Sequence, residues 1–450
     1  MILKKAIYAA LAAICAMPSA VSAQDNSDTA LPVGAQGAWS LDSCINYAIL
    51  HNLTVKEREL NRHSGELDIT EAKNAFLPTV SGSASESVNF GRGLTSENTY
   101  ANRNTTNFSI GLNAQMPLFQ MRNISQLKYA KTNLTTLLYQ AEAAKDDVTL
   151  NVISGYLQVL YTHELLETAR TQVELSAYEC DRQKALADAG KIAEIDVVEA
   201  QSQLEQDKLQ VATSTNDYTN AVLDLAQLLK LGSIENFSVC PLADTELPII
   251  PKAEVIYREA MINNNSVLAS RNSIKAAENY ISIAKSGYMP TLSLMGGLNS
   301  SYYTVSGFNN TGFRTQMREN FSKMIGVSLQ VPLFDGFSTR NAVRKAKLQH
   351  LQAQLQLDQT ETELYRTIQS AYYKATGARQ TYLTALETET ANRAAFEAMQ
   401  EKYNIGRANP QEFEQSKNTL LRTTLQRIQS HYECLLRYRI LMFYKGDLRK

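Results

Sequence analysis

The chain has 450 residues, 44 of them basic and 45 acidic, for a net charge of −1. With both signs spread throughout, no single-sign field is available to hold a nucleic acid or another polyanion. Five cysteines in this length are too few for a disulfide-built scaffold, and the four beyond the leader, Cys44, Cys180, Cys240 and Cys434, read as small buried hydrophobes.

In chain order the first predicted element is a leader. Lys4 and Lys5 precede an apolar run from Ala6 to Met17, and Val21, Ser22 and Ala23 supply small residues before Gln24. That is the pattern of a secretory signal peptide over residues 1–23, and bulky Ile14 argues against a lipid anchor on Cys15. No later stretch has the roughly eighteen continuous apolar residues that a membrane helix needs, so any crossing falls to strands closed into a barrel.

The rest of the chain is one unit written twice. "AILHNLTV" from Ala48 answers "AMINNNSV" from Ala260, and "AKNAFLPT" from Ala72 answers "AKSGYMPT" from Ala284, both at an offset of 212. "IGLNAQMPLF" from Ile110 answers "IGVSLQVPLF" from Ile325 at 215, and the surroundings of Gly190 and Gly406 align at 216. Each copy reads as short helix, strand, loop, strand, very long helix, turn and long helix. The first copy spans residues 24–235 and the second 252–450, joined by a proline-bearing linker at 236–251. The spacing differs between the copies around the strands, where a loop absorbs extra residues at low cost.

Phe108, Ile110, Leu112, Ala114 and Met116 alternate with Ser109, Gly111, Asn113 and Gln115, as do Ile325, Val327, Leu329 and Val331 with Gly326, Ser328 and Gln330. This period of two gives a strand with one apolar and one polar face. Each is expected to end in Pro-Leu-Phe, at Pro117 to Phe119 and Pro332 to Phe334. Partner strands begin after Pro78, with Val80, Gly82, Ala84, Val88 and Phe90, and after Pro290, where Leu292, Leu294 and Leu298 alternate less cleanly. Four strands cannot close a barrel in lipid, since spanning barrels start at about eight. Several chains must share one, and the arithmetic admits two chains with eight strands or three with twelve.

From Leu127 to Ala187 no proline interrupts the chain, and Ala342 to Tyr403 is equally clean, so each predicts a helix of about 60 residues, roughly 90 Å long. Val197, Leu204, Val211, Tyr218 and Leu225 recur every seven residues, with Ala200, Ala221 and Leu228 beside them, and Leu421, Leu425, Ile428, Tyr432 and Leu435 step by four and three. These are coiled-coil seams, broken by Asp207 and Ser214.

The tandem copies, the aromatic-x-Pro-Thr turn into each first strand, the Pro-Leu-Phe and the glycine turns followed by an acidic helix resemble the TolC outer-membrane efflux family over nearly the whole mature chain. The resemblance implies an α/β membrane protein that forms a trimeric duct. A 12-stranded outer-membrane β-barrel, four strands per chain, would be continuous with a long periplasmic α-helical barrel of coiled-coil hairpins. It implies a homotrimer in outer-membrane lipid, served by a periplasmic adaptor and an inner-membrane pump, with no nucleic acid and no cofactor. The docking tips would be Gly190, Lys191, Gly406 and Arg407, with a cation at the third tip position where the family usually carries a small or aliphatic residue. Glu412 falls on the first carboxylate of the family's constriction ring, Glu414 lies one position before the second, which is Gln415, and Asp196 and Glu199 are their first-copy relatives. Tyr403 and Arg407 would latch the closed tip.

Enzyme signatures do not assemble. His163-Glu164-Leu165-Leu166-Glu167 lacks the second histidine of a zinc helix, and Gly91 and Gly93 lead to Ser96 with no third glycine. No serine elbow occurs either, so no catalytic, cofactor or metal residue is assigned. The rival reading is a periplasmic coiled-coil adaptor, which would have no use for duplicated amphipathic strand hairpins.

Overall fold

A computed structural model describes residues 38–94, 98–232, 237–242 and 249–447. The predicted signal peptide lies outside the described residues. Copy one opens with β1 (Ala38–Trp39), α1 (Leu41–His51) and α2 (Leu53–Asn74). The break between the helices is set by Asn52, whose side-chain oxygen accepts from the N–H groups of Thr54 and Val55 and so caps α2. Next come β2 (Thr79–Asn89), the small hairpin of β3 (Arg92–Leu94) and β4 (Tyr100–Asn102), and β5 (Thr105–Gln120). The hairpin of α3 (Met121–Asp188) and α4 (Glu194–Leu229) closes the copy.

After β6 (Ser238–Val239), copy two repeats the order. α5 (Ala253–Asn263) and α6 (Asn265–Lys285) are separated by Asn264, which caps α6 as Asn52 caps α2. β7 (Thr291–Val305), α7 (Phe313–Glu319) and β8 (Ser322–Gln330) lead into α8 (Ser338–Asn404) and α9 (Pro410–Lys445). The long helices α3 and α8 have 68 and 67 residues, longer than the sequence indicated; α3 begins directly where β5 ends, and α8 begins after the seven residues that follow β8.

The four long strands form one antiparallel sheet in the order β2-β5-β7-β8. The register puts Phe108, Ile110, Leu112 and Ala114 of β5 in line with Tyr302, Ser300, Leu298 and Gly296 of β7. Ile325, Val327 and Leu329 of β8 join the same face, and so do Val80, Gly82 and Ala84 of β2. The opposite face carries Ser81, Ser83, Asn113, Gln115, Ser293 and Ser328, and its lower end lines a hollow of about 750 Å³. The polar face is therefore the one turned toward this hollow, and the apolar face, here called convex, is the one turned away from it. Exposed rings bracket the apolar band: Phe90, Tyr100 and Phe321 at one end, Phe119, Phe334 and Phe337 at the other.

The expected strand ends hold in one copy and need correction in the other. β5 runs through the Pro-Leu-Phe to Gln120, with a bulge that leaves Leu118 unpaired between Pro117 and Phe119. β8 stops at Gln330, short of the Pro-Leu-Phe in which it was expected to end, where Pro332 has no N–H to give the ladder. β7, whose alternation is broken by Gly296, Gly297 and Ser300, is nonetheless a full 15-residue central strand, paired with β5 along its length and with β8 as far as Asn299.

The helices continue the sheet's order: α2 packs on α3, α3 on α6 and α6 on α8. Two apolar cores sit at the level where the short helices meet the long ones. In the first, Cys44, Ala48 and Val55 pack with Val152, Tyr156 and Leu225; in the second, Ile256, Ala260 and Val267 pack with Ile368, Ala375 and Leu441. Within the predicted linker, β6 pairs in parallel with β1, and the Tyr156 hydroxyl, 3.0 Å from the Trp39 carbonyl and 2.6 Å from that of Cys240, ties the pair to α3. Cys44 and Cys240 are free thiols. Burial, with a smaller contribution from Cys240 nearby, pushes the Cys44 thiol up to about 12.

Candidate functional site

The two helical hairpins turn at the end of the molecule away from the sheet, and both turns use the same device. Gly190 and Gly406 adopt φ of +71° and +72°, a left-handed conformation that a side chain resists. The N–H of Gly190 donates to Ala187 and that of Lys191 to Leu186; Gly406 and Arg407 donate likewise to Tyr403 and Lys402. These bonds satisfy the last carbonyls of α3 and α8. Lys191 and Arg407 follow with exposed side chains, and the exposed Ile405 adds an apolar contact at the second tip.

The carboxylates predicted for a constriction divide by environment. Glu412 is exposed at the start of α9 and closes a capping box: its N–H donates to Asn409 Oδ1 at 2.7 Å, and the Asn409 N–H reaches its carboxylate at 3.4 Å. Asp196 holds the equivalent place on α4 and accepts from the Ala193 N–H at 3.2 Å; Ala193 has no side-chain oxygen to return the bond. Glu199 is exposed one turn later. Glu414 is paired instead, with both carboxylate oxygens 2.9 and 3.0 Å from Nζ of the buried Lys417.

Tyr403 lies buried between α8 and α3. Its hydroxyl donates to Glu179 Oε1 at 2.7 Å and accepts from Gln183 Nε2 at 2.8 Å. Its ring stacks on Phe413 at 4.5 Å, with the Arg182 guanidinium 4.3 Å from the other side. Burial, and then the bond to Glu179, raises the phenol well above its ordinary value, so it stays a donor. Arg407, the other predicted latch residue, is exposed and its side chain makes no ion pair among the described residues.

Sequence reasoning missed the partners of Tyr403. Gln172, Ser176, Glu179 and Gln183 are buried polar residues stepping by four and three along α3, a polar stripe at the spacing where a coiled coil places apolar ones. From this stripe Ser176 donates to Asp207 of α4 and receives Lys417 of α9 at 3.4 Å. Higher up, Arg427 of α9 joins Glu389 of α8 at 2.9 Å and Glu164 of α3 at 3.0 Å. The hairpin of copy one is thus fastened to that of copy two by charges and hydrogen bonds, where the cores above are apolar. The break at Asp207 is the sequence trace of this seam, while the Ser214 hydroxyl accepts from Gln210 of its own helix.

A family model described as "Outer membrane efflux protein" matches residues 44–230 and again 256–446. The chain belongs to that family. Among relatives of this outer membrane efflux protein, it is 25% identical over 344 residues to the outer membrane protein TolC of Vibrio cholerae, covering 75% of each chain. It is 20% identical to the outer membrane efflux protein BepC of Brucella suis, covering 91% of this chain and 86% of that one. Its fold matches that of the Campylobacter jejuni CmeC outer membrane channel with a TM-score of 0.74 at 18% identity, over 90% of this chain and 86% of the other. The four-stranded sheet with its long helical hairpins is accordingly a protomer fold of the trimeric outer-membrane channels, and the protein resides in the outer membrane of a Gram-negative cell.

Proposed function

We propose that three copies close one twelve-stranded barrel and one helical tunnel, through which substrates delivered by an inner-membrane pump and a periplasmic adaptor leave the cell passively. The observation that carries this reading is the pair of unsatisfied edges that the fold leaves in register. β2 and β8 end the sheet, and α2 and α8 end the helical layer in the same order. In lipid each unpaired backbone group at such an edge costs several kcal/mol. On the helical edges, Leu53, Leu60 and Leu67 of α2 are 63%, 69% and 69% exposed at seven-residue intervals, facing water with the spacing of a seam. Leu348, Leu351 and Leu355 of α8 are the matching apolar row. A second copy laid edge to edge covers all of these, and closure removes the last edge.

At the tunnel's far end the glycine turns would present Lys191, Ile405 and Arg407 to the adaptor. Threefold symmetry would gather Glu412, with Asp196 and Glu199, into acidic rings at the narrow mouth. Relatives named for alkaline protease secretion in Pseudomonas aeruginosa and for fusaric acid resistance in Burkholderia cepacia support export of either polypeptides or small molecules.

Purified protein, weighed in detergent and fused into planar bilayers, tests the reading. Three chains per particle and cation-preferring conductance steps are expected. A dimer, or particles that never conduct, would sink it.

A further inference from the structure

Where β8 stops, α7 lies over the convex, apolar face of the sheet. The Phe313 ring rests 5.8 Å from that of Phe108 and 5.0 Å from that of Tyr302, both on that face, and Ser300 on the same face donates to the Met317 carbonyl at 2.6 Å. With Phe313 and Met317 turned in, α7 presents Arg314 and Arg318, one turn apart, on its exposed side. Arg314 has no ion pair among the described residues, and Arg318 has a loose one, 3.8 Å from its neighbour Glu319, with its side chain 81% exposed. Lys323 stands on the convex face of β8, just before the exposed run of Ile325, Val327 and Leu329, and its ammonium is 5.7 Å from the Phe321 ring. Glu86 of β2 is the other described carboxylate on this part of that face, on the far side of β5.

Three cations beside an aromatic rim and above an apolar band that lipid chains would cover form an amphipathic surface. Guanidinium pairs suit phosphate in particular, because their paired N–H groups fit two of its oxygens. We infer that Arg314, Arg318 and Lys323 form a binding site for the phosphate-bearing headgroup of an outer-leaflet glycolipid, whose acyl chains lie along Ile325, Val327 and Leu329. The inference rests on the outward assignment of the convex face, and charge complementarity selects the occupant: this surface offers an excess of donors, and a zwitterionic headgroup would bring its own ammonium against them. The site fixes the height of the barrel at the outer leaflet and holds α7 on the sheet from outside.

Native mass spectrometry of the detergent-solubilised assembly titrated with bisphosphorylated lipid A tests this. Adducts are expected on the wild type, falling at least about tenfold with fully dephosphorylated lipid A, and falling equally with bisphosphorylated lipid in Arg314→Gln/Arg318→Gln/Lys323→Gln. Equal adducts on dephosphorylated lipid or on the triple variant would overturn the site. Subunit mass and bilayer conductance, read on the same preparations, report the duct separately, so its failure is distinguishable from that of the lipid site. Should the triple variant fail to assemble, Arg314→Gln alone carries the comparison, since that side chain makes no ion pair among the described residues.

Discussion

The side-chain amide of Gln316 pairs with both backbone groups of Tyr303, accepting from its N–H at 3.0 Å and donating to its carbonyl at 2.9 Å. Asn310 treats Val305 in the same way at 2.8 and 2.9 Å, and Asn320 donates to the Ser301 carbonyl at 2.7 Å. β8 last pairs at Ser322 with Asn299. The three amides therefore occupy alternate positions of β7 beyond that point, each doing what a strand's backbone would do. An open edge at the rim invites pairing with another chain, and this one is closed by side chains.

Gln316→Ala should release that edge. Besides a bond to the Thr311 carbonyl, the two hydrogen bonds to Tyr303 are lost, at about 1 kcal/mol each, and those two correspond to roughly 30-fold faster local opening. Hydrogen exchange read at the Tyr303 amide measures it. Exchange as slow as in the wild type would mean that the edge is held by something other than the amide.

Tyr403→Phe keeps the stack on Phe413 and removes the hydroxyl bonds to Glu179 and Gln183. The expected loss is about 1–2 kcal/mol of contact between α8 and α3, leaving Glu179 with Arg182 at 3.4 Å and Gln183 at 2.8 Å. If this cluster holds the tip closed, mean single-channel conductance rises in planar bilayers. Conductance identical to the wild type would assign Tyr403 a packing role only.

Glu412 and Glu414 should differ in their effect on the pore although they lie two residues apart. Glu414 is paired with Lys417, whereas the carboxylate of the exposed Glu412 accepts only from the Asn409 N–H and has no cationic partner among the described residues. Glu412→Gln should weaken block by trivalent cations at least about tenfold, and Glu414→Gln should leave it nearly unchanged. Equal effects would place both carboxylates in the same ring.

Much of this was legible in the sequence, for a physical reason. Duplication, strand alternation and heptads are periodic, and periodicity survives without knowledge of what packs where; Asn52 and Asn264 even cap the same break in each copy. The end of β8 was not legible, because the same Pro-Leu-Phe that β5 carries through a bulge at Leu118 lies beyond the last paired residue, Gln330, in copy two. β7 was read weakly because a central strand, held on both sides, tolerates Gly296 and Gly297. The partners of Tyr403 were invisible because Glu179 is 224 residues away, and only the register of two hairpins brings them together. The amides that close β7 come from a loop and the helix α7, where no period exists to read.

Glu389 gives the seam a pH dependence. Its carboxylate lies 2.7 Å from Arg393 and 2.9 Å from Arg427, and Thr424 donates to it at 3.1 Å. Burial pushes the carboxyl up, but the hydrogen bond from Arg393 and the charge of Arg427 outweigh it and hold the group below the ordinary carboxylate value. Because the folded value is the lower one, its stabilisation is complete above the unfolded value of about 4.3 and is lost as pH falls through the folded one. Glu389→Gln should accordingly cost about 2 kcal/mol at pH 7, from hydrogen bonds to charged groups, and the gap to the wild type should narrow as pH falls below the unfolded value of about 4.3. Denaturant unfolding followed by helical circular dichroism at pH 7, 5 and 3.5 measures the gap. A difference that stays constant across that range would show that Glu389 contributes by its shape and not by its charge.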